Sequence, residues 1–257
     1  MEIGSREVGG IDCAGDRSLQ PPISNLRPPI SSFKDSTIED LIRAFTSPDL
    51  IAIVGLTLRV TGTALVVATL IGVPLGALIG LSRFPGKRIV TAVLYTGMGL
   101  PPVVVGLVVY LMLSRSGPLG SLGWLFTPSA MVAAQIVIAL PLTMGLTMTS
   151  VESVNPDLRQ QVIALGATST QTALAILTEA RIGVTAAIVA AFGGIISEVG
   201  AVMLVGGNIA GQTRVLTTAI VLDTRTGDFS LALALGAILL TIAFVVNVAL
   251  MKMQGRT

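Results

Sequence analysis

The sequence predicts an all-α polytopic membrane protein with five transmembrane helices and a polar helical hairpin between the third and fourth. Three observations carry that prediction. Of 257 residues, 52% are hydrophobic and only 12% charged, with mean hydropathy +0.86; in a soluble domain about a quarter are charged. The apolar residues gather into runs that match the roughly 20 helical residues needed to cross a hydrocarbon core. Between two of these runs stands a polar island, NPDLRQQVIALGATSTQTALAILTEAR at 155–181, whose punctuation reads as two short helices.

Composition also excludes several chemistries. There is no His, the commonest general base and metal ligand, and Cys13 is alone, so neither an internal disulfide nor a Cys-based metal site is expected. Gly86 and Lys87 are followed by Arg88, with Leu81 where a phosphate-binding loop needs its first Gly. If ATP drives this protein, another chain binds it. Neither HExxH nor GxSxG occurs, which counts against an intramembrane enzyme. A net charge of +2 is too mild to point to nucleic acid.

Taken in order, residues 1–36 are rich in Gly, Pro and Ser and read as a mobile tail without the apolar core of a signal peptide. Ser36 with Glu39 forms a capping box, and Ile38, Leu41, Ile42 and Phe45 follow at helical spacing, so a surface helix is expected over 37–47. The membrane domain expected over 37–257 then holds five spans, at 60–81, 89–112, 130–149, 183–205 and 229–251. The first apolar run reaches back to Ile51, but that is too short for two crossings.

Five is odd, so the two ends lie on opposite sides. With the N-terminus outside and the C-terminus cytoplasmic, Arg83, Lys87, Arg88, Arg159, Arg181, Lys252 and Arg256 fall inside, against Arg115, Arg214 and Arg225 outside. Arg43 and Arg59, beside the first span, oppose the bias.

Within the spans, Gly72, Gly76 and Gly80 make a row of small residues suited to close helix packing. Pro101 and Pro102 should break the second span, and Pro141 the third. Glu198 is an acid about 22 Å along the fourth span, where burial is costly, so it should face protein or water. Two readings stay open for it: a carboxyl tied to a neighbouring backbone or to Arg59, or a pathway or gate residue. An ionised Glu198 would repel any anion passing it. An anion path would instead use hydroxyls, backbone N–H groups and the glycines Gly193, Gly194 and Gly200.

The polar segment over 150–182 has its own signals. Asn155 can cap a helix that Pro156 and Asp157 begin, Gly166 should end it, and Thr168 with Gln171 should cap a second helix from Ser169 towards Leu177. Leu158, Val162 and Leu165 share one face that wants a partner.

The order ALGA in this setting resembles the cytoplasmic EAA loop of ABC-importer permeases. Gly166 and Ile176 match that pattern, whereas Gln160, Gln161 and Val162 replace Glu-Ala-Ala, and Thr178 and Glu179 replace Leu-Pro. Residues 196–236 look like the corresponding segment of tungstate permeases, a pattern shared more loosely with molybdate and sulfate permeases. The matching residues are Glu198, Val199, Gly200, Ala201, Asn208, Ile209, Gly211, Thr213, Arg214 and Leu216. The turn SRSGPLG and the run GLPPVVVG resemble the same branch.

The resemblance implies a type I ABC importer permease fold in the plasma membrane, assembled as a homodimer. It implies two ATPase subunits, which would hold ATP and magnesium, and an extracytoplasmic oxyanion-binding protein. It further implies that 150–182 is the coupling loop, that Ala164, Leu165, Gly166, Ala167 and Thr168 dock the ATPase, that Glu198, Gly200, Ala201 and Gly194 belong to the pathway or gate, and that Asn208, Thr213 and Arg214 stand in an outer loop. Tungstate is the expected cargo, with molybdate or sulfate as alternatives. From a different class, a self-contained ion-coupled carrier using Glu198 remains open.

Overall fold

A computed structural model describes residues 48–254, which form ten α-helices and one short 3-10 turn. The expected tail over 1–36 and surface helix over 37–47 lie outside the described residues. The helices are α1 Pro48–Leu81, α2 Lys87–Met98, α3 Pro102–Leu113, α4 Pro128–Glu152, α5 Pro156–Ala164, α6 Ser169–Glu179, α7 Arg181–Ile196, α8 Gly200–Gly206, α9 Leu216–Thr226 and α10 Phe229–Gln254. Three of them, α1, α4 and α10, are long and apolar enough to cross a membrane singly. Two bent pairs, α2 with α3 at 98° and α6 with α7 at 66°, pass the same test together. The described residues thus hold three to five crossings.

The first helix is the spine. It begins earlier than the expected span and reaches all four buried clusters. At its N-terminal end, Leu50 packs with Leu216 of α9 and with Leu235 and Ile238 of α10. Val60 joins Val105, Met131 and Val202, which brings α3, α4 and α8 together. Further along, Ala64 and Ala68 meet Ala139, Ala191 and Ile195, small residues that let α1, α4 and α7 approach closely. Ala77 closes the series with Val151, Ile176 and Ala180.

The glycine row does what its spacing predicts. A Cβ on Gly72 would collide with Thr143, one on Gly76 with the Met144 backbone, and one on Gly80 would stand 3.0 Å from the Met148 carbonyl oxygen. α1 and α4 therefore pack backbone to backbone. The outward faces remain apolar, with Leu70 on α1 and with Leu240 at 73% and Phe244 at 69% exposure on α10. Water would not tolerate that much contiguous apolar surface; lipid does.

One span meets its expectation and three expectations need correction. The second span is interrupted at Pro101 and Pro102, and the break is sharp. Pro101 takes an extended backbone and Pro102 starts a new helix, so the chain turns through 98°. The third span is not broken at Pro141, because α4 continues through it. Packing holds it: Gly97 has no side chain, so the Pro141 ring fits against it, and Thr143 two residues on bonds the Ala68 carbonyl of α1 at 3.2 Å. The fourth span, expected to be continuous over 183–205, is interrupted at 197–199. Lastly, the segment after it contains an additional helix, α9, whose first N–H groups find acceptors in Thr57 of α1, 3.0 Å from Leu216 N, and in Thr218, 3.1 Å from Val215 N.

Candidate functional site

The polar hairpin folds as its caps dictate. The Asn155 side chain accepts the Asp157 N–H at 2.9 Å and Pro156 opens α5. α5 ends in a Schellman turn: Gly166 N–H donates to the Ile163 carbonyl at 2.9 Å, Ala167 N–H donates to the Val162 carbonyl at 3.3 Å, and Gly166 sits at φ +86°. Thr168 then caps α6 in a reciprocal box with Gln171, and α6 runs on to Glu179. The expected docking residues Ala164 to Thr168 are thus gathered in one tight turn. At its tip Leu165 is 87% exposed, an apolar side chain held out into solvent.

The hairpin is anchored where α1 and α4 end. Lys87 Nζ donates to the Gly80 and Ser82 carbonyls at 3.1 and 3.0 Å and pairs with Glu152 at 2.9 Å. Arg159 of α5 donates to the Leu81 carbonyl at 3.4 Å. Two cations thereby satisfy the last carbonyls of α1, where the helix dipole also favours them. Ile176 of α6 is buried against Ala77 and Val151. Any displacement of the hairpin is therefore felt directly by α1 and α4.

The second region is the interruption between α7 and α8. Glu198 is 9% exposed, and its Oε1 accepts the Ala201 N–H at 2.8 Å, so the carboxyl caps the helix that follows it. Thr217 of α9 donates to the Glu198 carbonyl at 3.1 Å, and Gln135 of α4 donates to the Ile195 carbonyl at 3.1 Å. Hydrogen bonds from three sides hold the break. The packing is close: a Cβ on Gly106 of α3 would stand 2.5 Å from Ala201 Cα, and one on Gly200 would stand 2.6 Å from a Val103 methyl group. Glu198, Gly200 and Ala201 are thus brought together, and Glu198 makes no ion pair with Arg59. Gly194 lies one turn earlier on α7, exposed and near Leu142.

The third region is the loop from α8 to α9. Thr213 is buried, its Oγ1 donating to the Gly206 carbonyl at 2.6 Å and accepting the Ile209 N–H at 2.9 Å. Asn208, at φ +50°, accepts from Arg214 Nε at 3.3 Å. This loop and the hairpin stand at opposite ends of α1. Arg59, beside the loop, is twenty-two residues from Leu81, or about 33 Å of helix. That is close to the thickness of a hydrocarbon core, roughly 30 Å. Sequence reasoning missed Gln135, Thr217 and Thr57 because each acts through a contact made only in the fold; Lys87 was visible only as a loop charge.

Against known families, residues 72–254 match the profile described as the binding-protein-dependent transport system inner membrane component. The chain belongs to this family. The permease is 46% identical over 213 residues to a probable anion ABC transporter permease protein of Haloferax volcanii, covering 81% of this chain and 92% of the relative. It is 41% identical over 207 residues to the tungstate uptake system permease protein TupB of Peptoclostridium acidaminophilum, covering 80% and 91%. Among solved structures, a bacterial ABC transporter involved in import of the polysaccharide alginate superposes with a TM-score of 0.69 at 20% identity, over 85% of this permease and 83% of that chain. The likeness establishes the type I importer permease fold. The permease is accordingly a multi-pass membrane protein and a transport subunit.

Proposed function

We propose that this permease carries tungstate into the cytoplasm as one half of a homodimeric pore, powered by a separate ATPase and supplied by an extracytoplasmic oxyanion-binding protein. The observation that carries the reading is the hairpin: a capped, polar, two-helix projection with exposed Leu165 at its tip and Ile176 locked into the body. A projection of this kind gives an external motor something to grip. ATP and magnesium belong on that partner. The cargo follows from the relative named for tungstate uptake, which the chain matches over most of its length. The N-terminus lies outside and the C-terminus and hairpin inside, which agrees with the excess of Arg and Lys in the loops on the hairpin's side.

In this scheme ATPase closure pulls the hairpin, and α1, α4 and α7 rock as packed rods. The α7–α8 interruption, pinned by Glu198, Gln135 and Thr217, shapes the gate. The test is reconstitution in vesicles with the ATPase and binding protein, measuring uptake of tungstate, molybdate and sulfate. ATP-dependent tungstate uptake in excess of the other two is expected. Uptake by the permease alone would refute the reading, and a preference for molybdate or sulfate would refute the cargo.

A further inference from the structure

A cavity of about 380 Å³ opens beside the N-terminal part of α1, facing the α8–α9 loop. Arg59 and Arg214 both line it, with Asp49, Gly55, Gly211 and Gln212 among their neighbours. The loop is built to hold its arginine in place. Gln212, Thr213 and Arg214 all donate their N–H groups to the Ile209 carbonyl, Thr213 is buried beneath them, and Asn208 takes the Arg214 Nε. Arg59 makes no side-chain hydrogen bond or ion pair with another described residue.

Among the residues that line the cavity the charges do not cancel. Two guanidinium groups share the cavity with one carboxylate, Asp49. Asp223 of α9, outside the lining, is within electrostatic reach of Arg214. Arg59 is exposed and Arg214 half-buried; like charges gathered in a concave site repel each other, and a dianion entering between them relieves that repulsion. Arginine donors are also suited to oxygen-rich anions, which they can meet with two N–H groups at once. The volume exceeds many times the roughly 30 Å³ share of one water, so the site suits an oxyanion that keeps part of its hydration shell.

We propose that Arg59 and Arg214 form a reception site for tetrahedral oxyanions at the mouth of the permease remote from the hairpin, holding the anion before it passes the α7–α8 interruption. The site gives the path a positive entrance, while Glu198 spends its carboxyl on capping a helix rather than on the cargo. The proposal rests on the oxyanion-permease reading above, and the test separates the two.

Gly55 supplies the probe. A Cβ there meets nothing within 4 Å, so a side chain at this helical position enters open space without moving the backbone. In a Cys13→Ser background, which removes the chain's one cysteine, Gly55→Cys should react faster with an anionic than with a cationic thiol reagent. Sodium tungstate should slow that labelling, while sodium chloride at equal ionic strength should not. Absence of both effects overturns the site whatever the transport result. In reconstituted vesicles, Arg59→Gln and Gly55→Leu should each lower tungstate uptake about tenfold, the loss expected for one charge-assisted contact. Stimulation of the ATPase by the binding protein should stay within about twofold, and Arg59→Lys should restore part of the uptake. Uptake and stimulation falling together would mean that these residues seat the binding protein, which overturns the proposal. Unchanged uptake in Arg59→Gln overturns it too. Tungstate protection of Gly55→Cys without tungstate uptake by the unsubstituted transporter would sink the functional reading and leave the site standing.

Discussion

Replacing Glu198 separates the capping role from the charge. Its Oε1 accepts the Ala201 N–H at 2.8 Å in a position only 9% exposed, and a glutamine can present an amide oxygen to the same N–H. Glu198→Gln should therefore keep the α7–α8 interruption and most of the stability. Glu198→Ala removes the acceptor and leaves a buried N–H without a partner. A lost cap costs about 1 kcal/mol, and a hydrogen bond to a charged group about 1.5 to 3, but bonds inside membrane bundles average nearer 0.6. A loss of about 1 to 1.5 kcal/mol follows, roughly a tenfold shift against the interrupted conformation. The assay is thermal unfolding in detergent, monitored by monodispersity, beside ATP-driven uptake in vesicles. Glutamine should track the unsubstituted protein in both, and alanine should fall in both. A glutamine variant that is stable but inactive would refute the capping argument, because the negative charge itself would then be required.

Gly166→Val places a β-branched residue at φ +86°, a conformation costing L-residues about 1 to 2 kcal/mol, so the hairpin turn should distort. Stimulated ATPase activity should drop severalfold with insertion unchanged. Lys87→Met removes the Glu152 pair and two carbonyl contacts at the end of α1; both side chains of the pair are partly exposed, so a loss of about 1 kcal/mol is expected. Added salt should weaken only the ion-pair part, which thermal melts at two ionic strengths would show. Asp223, outside the membrane-crossing helices, has its carboxyl pushed above the usual range, chiefly by burial and then by Asp228, with Arg214 opposing. Its neutral form is favoured in the fold, so its contribution is fully present below the unfolded pKa of about 3.9 and is lost as pH rises through the higher folded value. Asp223→Asn should therefore be more stable than the unsubstituted protein at neutral pH, with the gap closing towards pH 4.

Legibility in the sequence tracked how local the deciding forces are. The hairpin was readable because Asn155, Pro156, Gly166, Thr168 and Gln171 act on residues within a turn of themselves. The apolar runs were readable because a hydrocarbon core imposes one length on every helix that crosses it. Pro141 misled because proline weakens a helix locally, whereas the absent side chain at Gly97 and the tight α1–α4 seam secure this one from outside. The interruption at Glu198 carries no proline to announce it and depends on Gln135 and Thr217, which come from other helices. In the sequence Arg59 reads as a possible partner of Glu198 and Arg214 as an outer-loop residue, and only the path of the chain brings the two into one cavity.

The central claim is that an external ATPase grips the hairpin, and Leu165 tests it most directly. With Cys13 replaced by serine, a Leu165→Cys permease should be labelled from the cytoplasmic side and should cross-link to the ATPase subunit in assembled membranes, at a yield that changes when ATP binds. Labelling from the external side, or a cysteine that stays free of the ATPase while the complex hydrolyses ATP and imports tungstate, would contradict it.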